Sequence, residues 1–184
     1  MLPGILLTGG ASRRMGTDKA TIEWRGETLA SRAARVLGEV CDPVVEAGPG
    51  FTTLRTIREQ PPGSGPLAAL LAGADALDAT SVLLLACDMP FVEVPLLGLF
   101  VHWPGDESVA AVADGRTQYG CARYGRSWLG AARNARRAGT TSFRAVGDEH
   151  IELLPESAWQ PVAGRPDALV DIDTPEEWTR TLGS

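Results

Sequence analysis

The run Leu7-Thr8-Gly9-Gly10-Ala11-Ser12-Arg13-Arg14-Met15-Gly16-Thr17-Asp18-Lys19 gathers phosphate-binding chemistry into one short segment. Adjacent glycines after an apolar stretch let backbone N–H groups approach an anion closely and form a nest. Arg14 and Lys19 then supply positive charge for a triphosphate, and Lys19 is the only lysine among the 17 Lys and Arg residues. The competing reading is a Gly-rich turn with basic residues on a solvated face. A Walker A loop does not fit, because it ends in Gly-Lys-Ser/Thr, whereas Gly16 is followed by Thr17-Asp18.

Asp88 is the second anchor. It follows the unbroken apolar run 81–87, and the carboxyl end of a buried strand is where open α/β sheets place their ligands. A hard carboxylate there suits Mg²⁺ bridging to phosphate oxygens, although an Asp before Pro90 can equally cap a helix. Asp171 and Asp173 end another apolar stretch and can bring further carboxylates to the same metal. Asp173-Thr174-Pro175-Glu176 is also an ordinary helix start. Residues 63–68 formally fit a dinucleotide fingerprint, but Pro61 and Pro62 separate them from a strong strand and Pro66 has no N–H for a pyrophosphate. His102 and His150 lie far apart, and no Ser–His–Asp or Cys–His set is evident. Arg133, Arg136 and Arg137 make one helix basic, as a solvated helix end or an attraction for an anionic acceptor.

Elements that would position these residues follow from periodicity. Residues 3–8 read as a buried strand feeding the glycines, and 20–24 as a short extended piece before the turn at Gly26. Leu29, Ala33, Val36, Leu37 and Val40 predict a helix over 27–40. Residues 43–47 and 54–58 are further strands, and Pro66 opens a helix bearing Leu67, Leu70, Leu71, Ala74 and Leu77 on one face. The run 81–87 is a central parallel strand. Strands at 108–113, 117–124, 150–154 and 169–172, a helix at 127–138, and a last helix capped by Thr174 complete the chain. Alternating strands and helices in the first half imply βαβ units and a mostly parallel sheet. The expected fold is a single three-layer α/β/α domain over 1–184 with a mainly parallel mixed sheet. Its nucleotide-binding half spans about 1–105 and its acceptor-binding half about 106–184.

Composition narrows the function. The 184 residues are 44% hydrophobic and 22% charged, ordinary for a globular protein. A net charge of −6 excludes non-specific nucleic-acid binding, since no basic excess displaces counterions. Cys41, Cys87 and Cys121 form neither a zinc pattern nor a disulfide framework, so a reducing compartment is expected. No stretch approaches the roughly 18 apolar residues of a membrane span, and no signal peptide is recognised. These features predict a cytoplasmic protein with no membrane partner.

The loop resembles the signature of the molybdenum cofactor guanylyltransferases, within the larger family of sugar-nucleotide and related nucleotidyltransferases. That signature, Leu-x-Gly-Gly-x-Ser-x-Arg-Met-Gly-x-Asp-Lys, is matched at every specified position from Leu7 to Lys19. The resemblance continues at Gly65-Pro66-Leu67, Cys87-Asp88-Met89-Pro90 and Asp171-Ile172-Asp173-Thr174-Pro175-Glu176, while residues 100–165 match only in outline. It implies a nucleotide-diphospho-sugar-transferase-like fold and transfer of GMP from GTP to the phosphate of a molybdopterin-type acceptor, with release of pyrophosphate. It further implies catalytic roles for Arg14, Lys19 and Asp88, and Mg²⁺ on Asp88 with Asp171 or Asp173. Nucleotide contacts would come from Leu7, Thr8, Gly9, Gly10, Ser12, Lys19, Gly65, Pro66 and Leu67. A protein that delivers the acceptor is a further implied partner.

Two positions depart from the family pattern. Glu46 stands where the guanylyltransferases often have Asn, and Glu59 where they usually have Asp. A carboxylate accepts from guanine N1–H and N2–H₂, so either residue suits GTP, and either is equally a solvated strand-end charge. The alternatives are a nucleotidyltransferase using CTP or another acceptor, a nicotinamide-dependent oxidoreductase, and a non-catalytic nucleotide-binding homologue.

Overall fold

The computed structural model describes residues 1–9, 18–105 and 107–172. Gly10, Ser12, Arg14, Asp173 and the helix expected after Thr174 lie outside the described residues.

Strand alternation builds two apolar layers on one sheet. In β1 (Gly4–Leu7), Leu6 packs into one core cluster, and Ile5 and Leu7 into the other. The same alternation recurs in β6 (Val82–Ala86), where Leu83 and Leu85 join Leu6 while Val82 and Leu84 join Ile5. The Leu6 layer is covered by α1 (Leu29–Gly38), α3 (Val94–Val101) and α6 (Glu156–Ala163). The Ile5 layer is covered by α2 (Pro66–Ala76), α4 (Arg126–Arg137) and the single turn α5 (Phe143–Val146). The expected three-layer α/β/α architecture is therefore observed.

Besides β1 and β6, the main sheet contains β4 (Val44–Ala47), β5 (Arg55–Ile57), β7 (Ser108–Ala113), β8 (Arg116–Tyr124) and β9 (Ile151–Leu154). A two-stranded hairpin of β2 (Glu23–Trp24) and β3 (Glu27–Thr28) lies apart. The main order is β5-β4-β1-β6-β8-β7-β9. Only β8 runs against its two neighbours, so the sheet is mixed and mainly parallel.

The register decides where a site can form. Ile57 pairs with Ala47, Ala47 with Leu7, and Leu7 with Ala86, so the carboxyl ends of β5, β4, β1 and β6 form one row. Strand β8 pairs Cys121 with Leu85, which carries its earlier residues 116–119 past the end of β6 to the same edge.

Some elements differ from expectation for identifiable reasons. The helix expected from residue 27 starts at Leu29, because Glu27-Thr28 form β3 and the Thr28 hydroxyl accepts the Ser31 N–H at 3.1 Å. Residues 169–172 are not a strand. Their apolar character reflects packing of Leu169 and Ile172 in a turn-rich segment whose Ile172 N–H donates to the Asp88 carbonyl at 3.0 Å. Helix α6 escapes sequence reading because Pro161 lies inside it, a residue that ordinarily breaks helices. No helix among the described residues is long and apolar enough to cross a membrane.

Candidate active site

The edge is tightest where β1 meets β4. Gly48 follows β4, and a Cβ placed there would lie 2.2 Å from Thr8 Oγ1 and 2.8 Å from the Gly9 nitrogen. Only glycine permits this approach of the two loops. The Thr8 N–H donates to the Ala47 carbonyl at 3.2 Å, and the Thr8 hydroxyl donates to Glu46 at 2.6 Å. Glu46 has no exposed surface. Its Oε1 also accepts from the N–H groups of Gly50 at 3.0 Å and Phe51 at 2.7 Å, and its Oε2 from the Thr52 N–H at 2.9 Å and hydroxyl at 2.7 Å. Burial alone would raise its pKa. The donors from Thr8, Phe51 and Thr52 outweigh burial and hold it below the ordinary carboxylate value.

The far end of the phosphate-type loop is fixed by a capped turn. Asp18 caps the 3₁₀ turn Lys19–Thr21, its carboxylate accepting the Ala20 N–H at 3.2 Å, and the Ala20 methyl is buried. Lys19 is thereby aimed across the row. Its Nζ lies 3.5 Å from Asp88 Oδ2, with side-chain exposures of 15% and 28%. Two anchors far apart in the sequence are thus brought into one ion pair.

Asp171 is brought to the same place by a stacked array. The Ile172 N–H binds the Asp88 carbonyl, and the Ile172 side chain shares a small cluster with Phe91 and Trp24. Trp24 meets Phe91 edge-on at 5.4 Å, and the Arg165 guanidinium lies 3.9 Å from the Phe91 ring centre. Arg32, 5.1 Å from the Trp24 ring centre, donates to the Pro90 carbonyl at 2.7 Å. The hairpin, α1, the loop after β6 and the C-terminal segment are thus pinned around Asp88.

Two cavities open along the edge. The first, about 360 Å³, lies over β5, β4 and β1 and is walled by Gly9, Gly48, Pro49, Pro62, Gly63, Gly65, Pro66, Ala69, Arg58 and Glu59. Gly65 precedes α2 with φ +94°, a conformation L side chains rarely adopt, and Pro66 follows at the first helical position. Glu59 is held by the Gly63 N–H at 2.9 Å, and Arg58 donates to the Pro49 carbonyl at 2.6 Å.

The second cavity, about 450 Å³, lies over β6 and β8. Asp88, Asp114 and Asp171 face it together with Arg116, Arg144, Gln118 and Tyr119. The Tyr119 hydroxyl donates to Asp148 at 2.6 Å. Burial and this bond push its pKa up to about 12, so it remains a donor at neutral pH. Its ring stacks with Phe143 at 6.3 Å.

The expected site residues therefore separate into groups. Lys19, Asp88 and Asp171 converge, as do Gly9, Glu59, Gly65 and Pro66 around the first cavity. Leu7 and Leu67 are corrected: both side chains belong to the core, the Leu7 carbonyl takes the Cys87 N–H, and the Leu67 N–H points to the Thr141 carbonyl. Glu46 is corrected as a direct base contact, because its oxygens are filled by donors of the chain itself. Arg116, Arg144 and Tyr119 are additions. The signal for Arg116 and Tyr119 is the antiparallel register of β8, and that for Arg144 the docking of α5, neither of which a pattern of apolar residues reveals. The cysteines are no nucleophiles: all three are buried, and burial pushes the Cys41 thiol up to about 12 and the other two further.

A phosphate-type loop after the first strand, joined by an ion pair to an aspartate at the end of β6, defines a nucleotidyltransferase on a nucleotide-diphospho-sugar-transferase fold. The family model of the MobA-like NTP transferase domain matches residues 4–153, and the chain belongs to that family. A probable molybdenum cofactor guanylyltransferase of Chloroflexus aggregans is 31% identical, over 96% of this chain and 91% of the relative. Another, from Mycolicibacterium paratuberculosis, is 37% identical over 85% of this chain and 87% of the relative. The crystal structure of molybdopterin-guanine dinucleotide biosynthesis protein A from Archaeoglobus fulgidus superposes with a TM-score of 0.84. It covers 99% of this chain and 97% of that chain at 18% identity, a likeness of fold.

Proposed function

We propose that this protein transfers GMP from GTP to the phosphate of a molybdopterin-type acceptor and releases pyrophosphate. The observation that carries the reading is the Lys19–Asp88 pair at 3.5 Å, whose aspartate faces the cavity of charged side chains, on the strand-end edge that also bears the cavity walled mostly by backbone and proline. The backbone-walled cavity suits a purine, with Glu59 accepting from guanine N1–H and N2–H₂. The charged one suits an anionic acceptor, with Arg116 and Arg144 offsetting its charge. The names of the homologous guanylyltransferases support the same substrates.

An acceptor phosphate oxygen attacks the α-phosphorus, the bond to the bridging oxygen of the β-phosphate breaks, and pyrophosphate leaves with the electron pair. No covalent enzyme intermediate is needed, because the attacking oxygen already carries charge. The protein's work is to hold two anions in line and offset the charge between them. Lys19, Arg14 and the N–H groups of the Gly9-Gly10-Ala11-Ser12 segment are the groups that would serve that end, as donors toward developing charge.

Mg²⁺ fits the donor set. Asp88 and Asp171 put hard carboxylate oxygens on one cavity wall, and Asp173 follows two residues later in sequence. When bound, the ion would offset charge on the phosphate oxygens.

Calorimetry with GTP, CTP, ATP and UTP in Mg²⁺ tests the reading, and GTP should bind most tightly. Tighter CTP binding would move the protein to the cytidylyl branch, and no pyrophosphate release on adding acceptor would make it a non-catalytic homologue.

A further inference from the structure

Among the described residues, the fully charged side chains buried in the fold are Glu46 and Arg123. Arg123 directs its donors to carbonyls of one connection, those of Val101, Trp103, Gly105 and Glu107. Glu46 differs, because its donors come from two segments that meet at the first cavity. Thr8, the residue before Gly9, supplies one. Gly50, Phe51 and Thr52 of the loop after β4 supply the other four.

Between those two anchor points lie Gly48 and Pro49, which with Gly9 wall the cavity. The seam has no slack, since a Cβ on Gly48 would overlap Thr8 Oγ1 at 2.2 Å. A carboxylate is the fitting group there, because it only accepts and both of its oxygens face donors. An amide would turn its NH₂ toward the Thr52 N–H, leaving two donors opposed, and would reverse the bond to the Thr52 hydroxyl.

We propose that Glu46 is a positioning residue for the nucleotide: its carboxylate fixes the spacing between the phosphate loop at Thr8-Gly9 and the base wall at Gly48-Pro49. It sets how firmly a nucleoside is gripped without touching it. The inference rests on the reading of the first cavity as the base site.

The test is Glu46→Gln, measured by calorimetry with GTP and with ITP, which lacks the 2-amino group, and by steady-state kinetics. Both nucleotides should weaken by the same factor, about tenfold, with kcat within about twofold of the parent, the signature of lost uniform binding. Thr8→Val should weaken binding too, and adding it to Glu46→Gln should cost less than the sum of the two. A loss for GTP larger than for ITP would make Glu46 a direct reader of guanine and overturn the proposal. Unchanged affinities with only a lowered melting temperature would overturn it as well. Should the Gln variant not fold, Thr8→Val and Thr52→Ala, each removing one hydroxyl donor, carry the test, and parental affinity in both would overturn it. A parent that prefers CTP would sink the guanine assignment alone, since Glu46→Gln must then weaken CTP.

Discussion

The two cavities along the strand-end edge are built by opposite means. Over β5, β4 and β1 the walls are mostly backbone and ring, Gly9, Gly48, Gly63, Gly65 and three prolines, with Arg58 and Glu59 the charged side chains among them. Over β6 and β8 they are side chains of both charges, Asp88, Asp114 and Asp171 against Arg116 and Arg144. A backbone wall is fixed by the fold and reads shape, leaving Glu59 to read hydrogen bonds. A wall of charges can be altered one residue at a time, and its chemistry depends on which ions and phosphates enter it. Substitutions on the two sides should therefore fail differently, one side in affinity and the other in rate or acceptor use.

The sharpest break should come from Asp88→Ala. Its side chain is 28% exposed, so little packing is lost, yet the carboxylate that pairs with Lys19 and suits the metal is gone. Turnover should fall by about a thousandfold or more with the melting temperature nearly unchanged. Near-normal pyrophosphate release at saturating Mg²⁺ would move the metal to Asp171 or Asp173.

Lys19, paired with the Asp88 that faces the charged cavity, should show the next largest effect. A compact ammonium on a flexible stem can follow phosphate charge as it shifts during transfer, which a planar guanidinium does less well. Lys19→Ala should lose about a hundredfold in kcat and less in GTP affinity, and Lys19→Arg should recover binding better than rate. A rise in KM for GTP with kcat unchanged would reduce Lys19 to a ground-state clamp and leave the catalytic work to Arg14 and the metal.

On the charged side, Arg116→Ala combined with Arg144→Ala should raise the KM for acceptor about tenfold while leaving GTP affinity intact. An equal loss for GTP would show that the cavities are not separate sites.

The comparison also explains what the sequence reveals. The backbone-built side announces itself, because glycine and proline are the residues such walls demand: the Gly9 loop, Gly65-Pro66 and the apolar run of β6 are legible as they stand. The charged side is not, because Arg116 and Tyr119 reach the edge only through the antiparallel register of β8, a pairing made between distant segments. Glu46 misleads for a related reason. A carboxylate one residue before a strand end looks solvated until the loop 48–52 folds back over it with its N–H groups. Leu169 and Ile172 mislead in the other direction, since burial in a turn leaves the same apolar imprint as burial in a strand.

The smallest expected effect is a difference of differences in stability against pH. Glu46 has its pKa lowered in the folded protein, because its donors favour the charged form more than burial disfavours it. A group of this kind binds its proton more readily in the unfolded chain, so its contribution is fully present above the ordinary value of 4.5. It is lost as pH falls from there through the depressed folded value. Glu46→Gln cannot titrate at that position. The melting-temperature gap between parent and variant should therefore be constant from neutral pH down to the ordinary carboxylate range, and should narrow below it. In a chain of this size each kcal/mol moves the midpoint by about 2–4 °C, so scanning calorimetry at closely spaced pH values can follow the change. A gap that widens on acidification would mean that Glu46 is protonated more readily in the folded protein. The donors around it would then fail to outweigh burial, and the backbone-built side of the edge would lack its anionic centre.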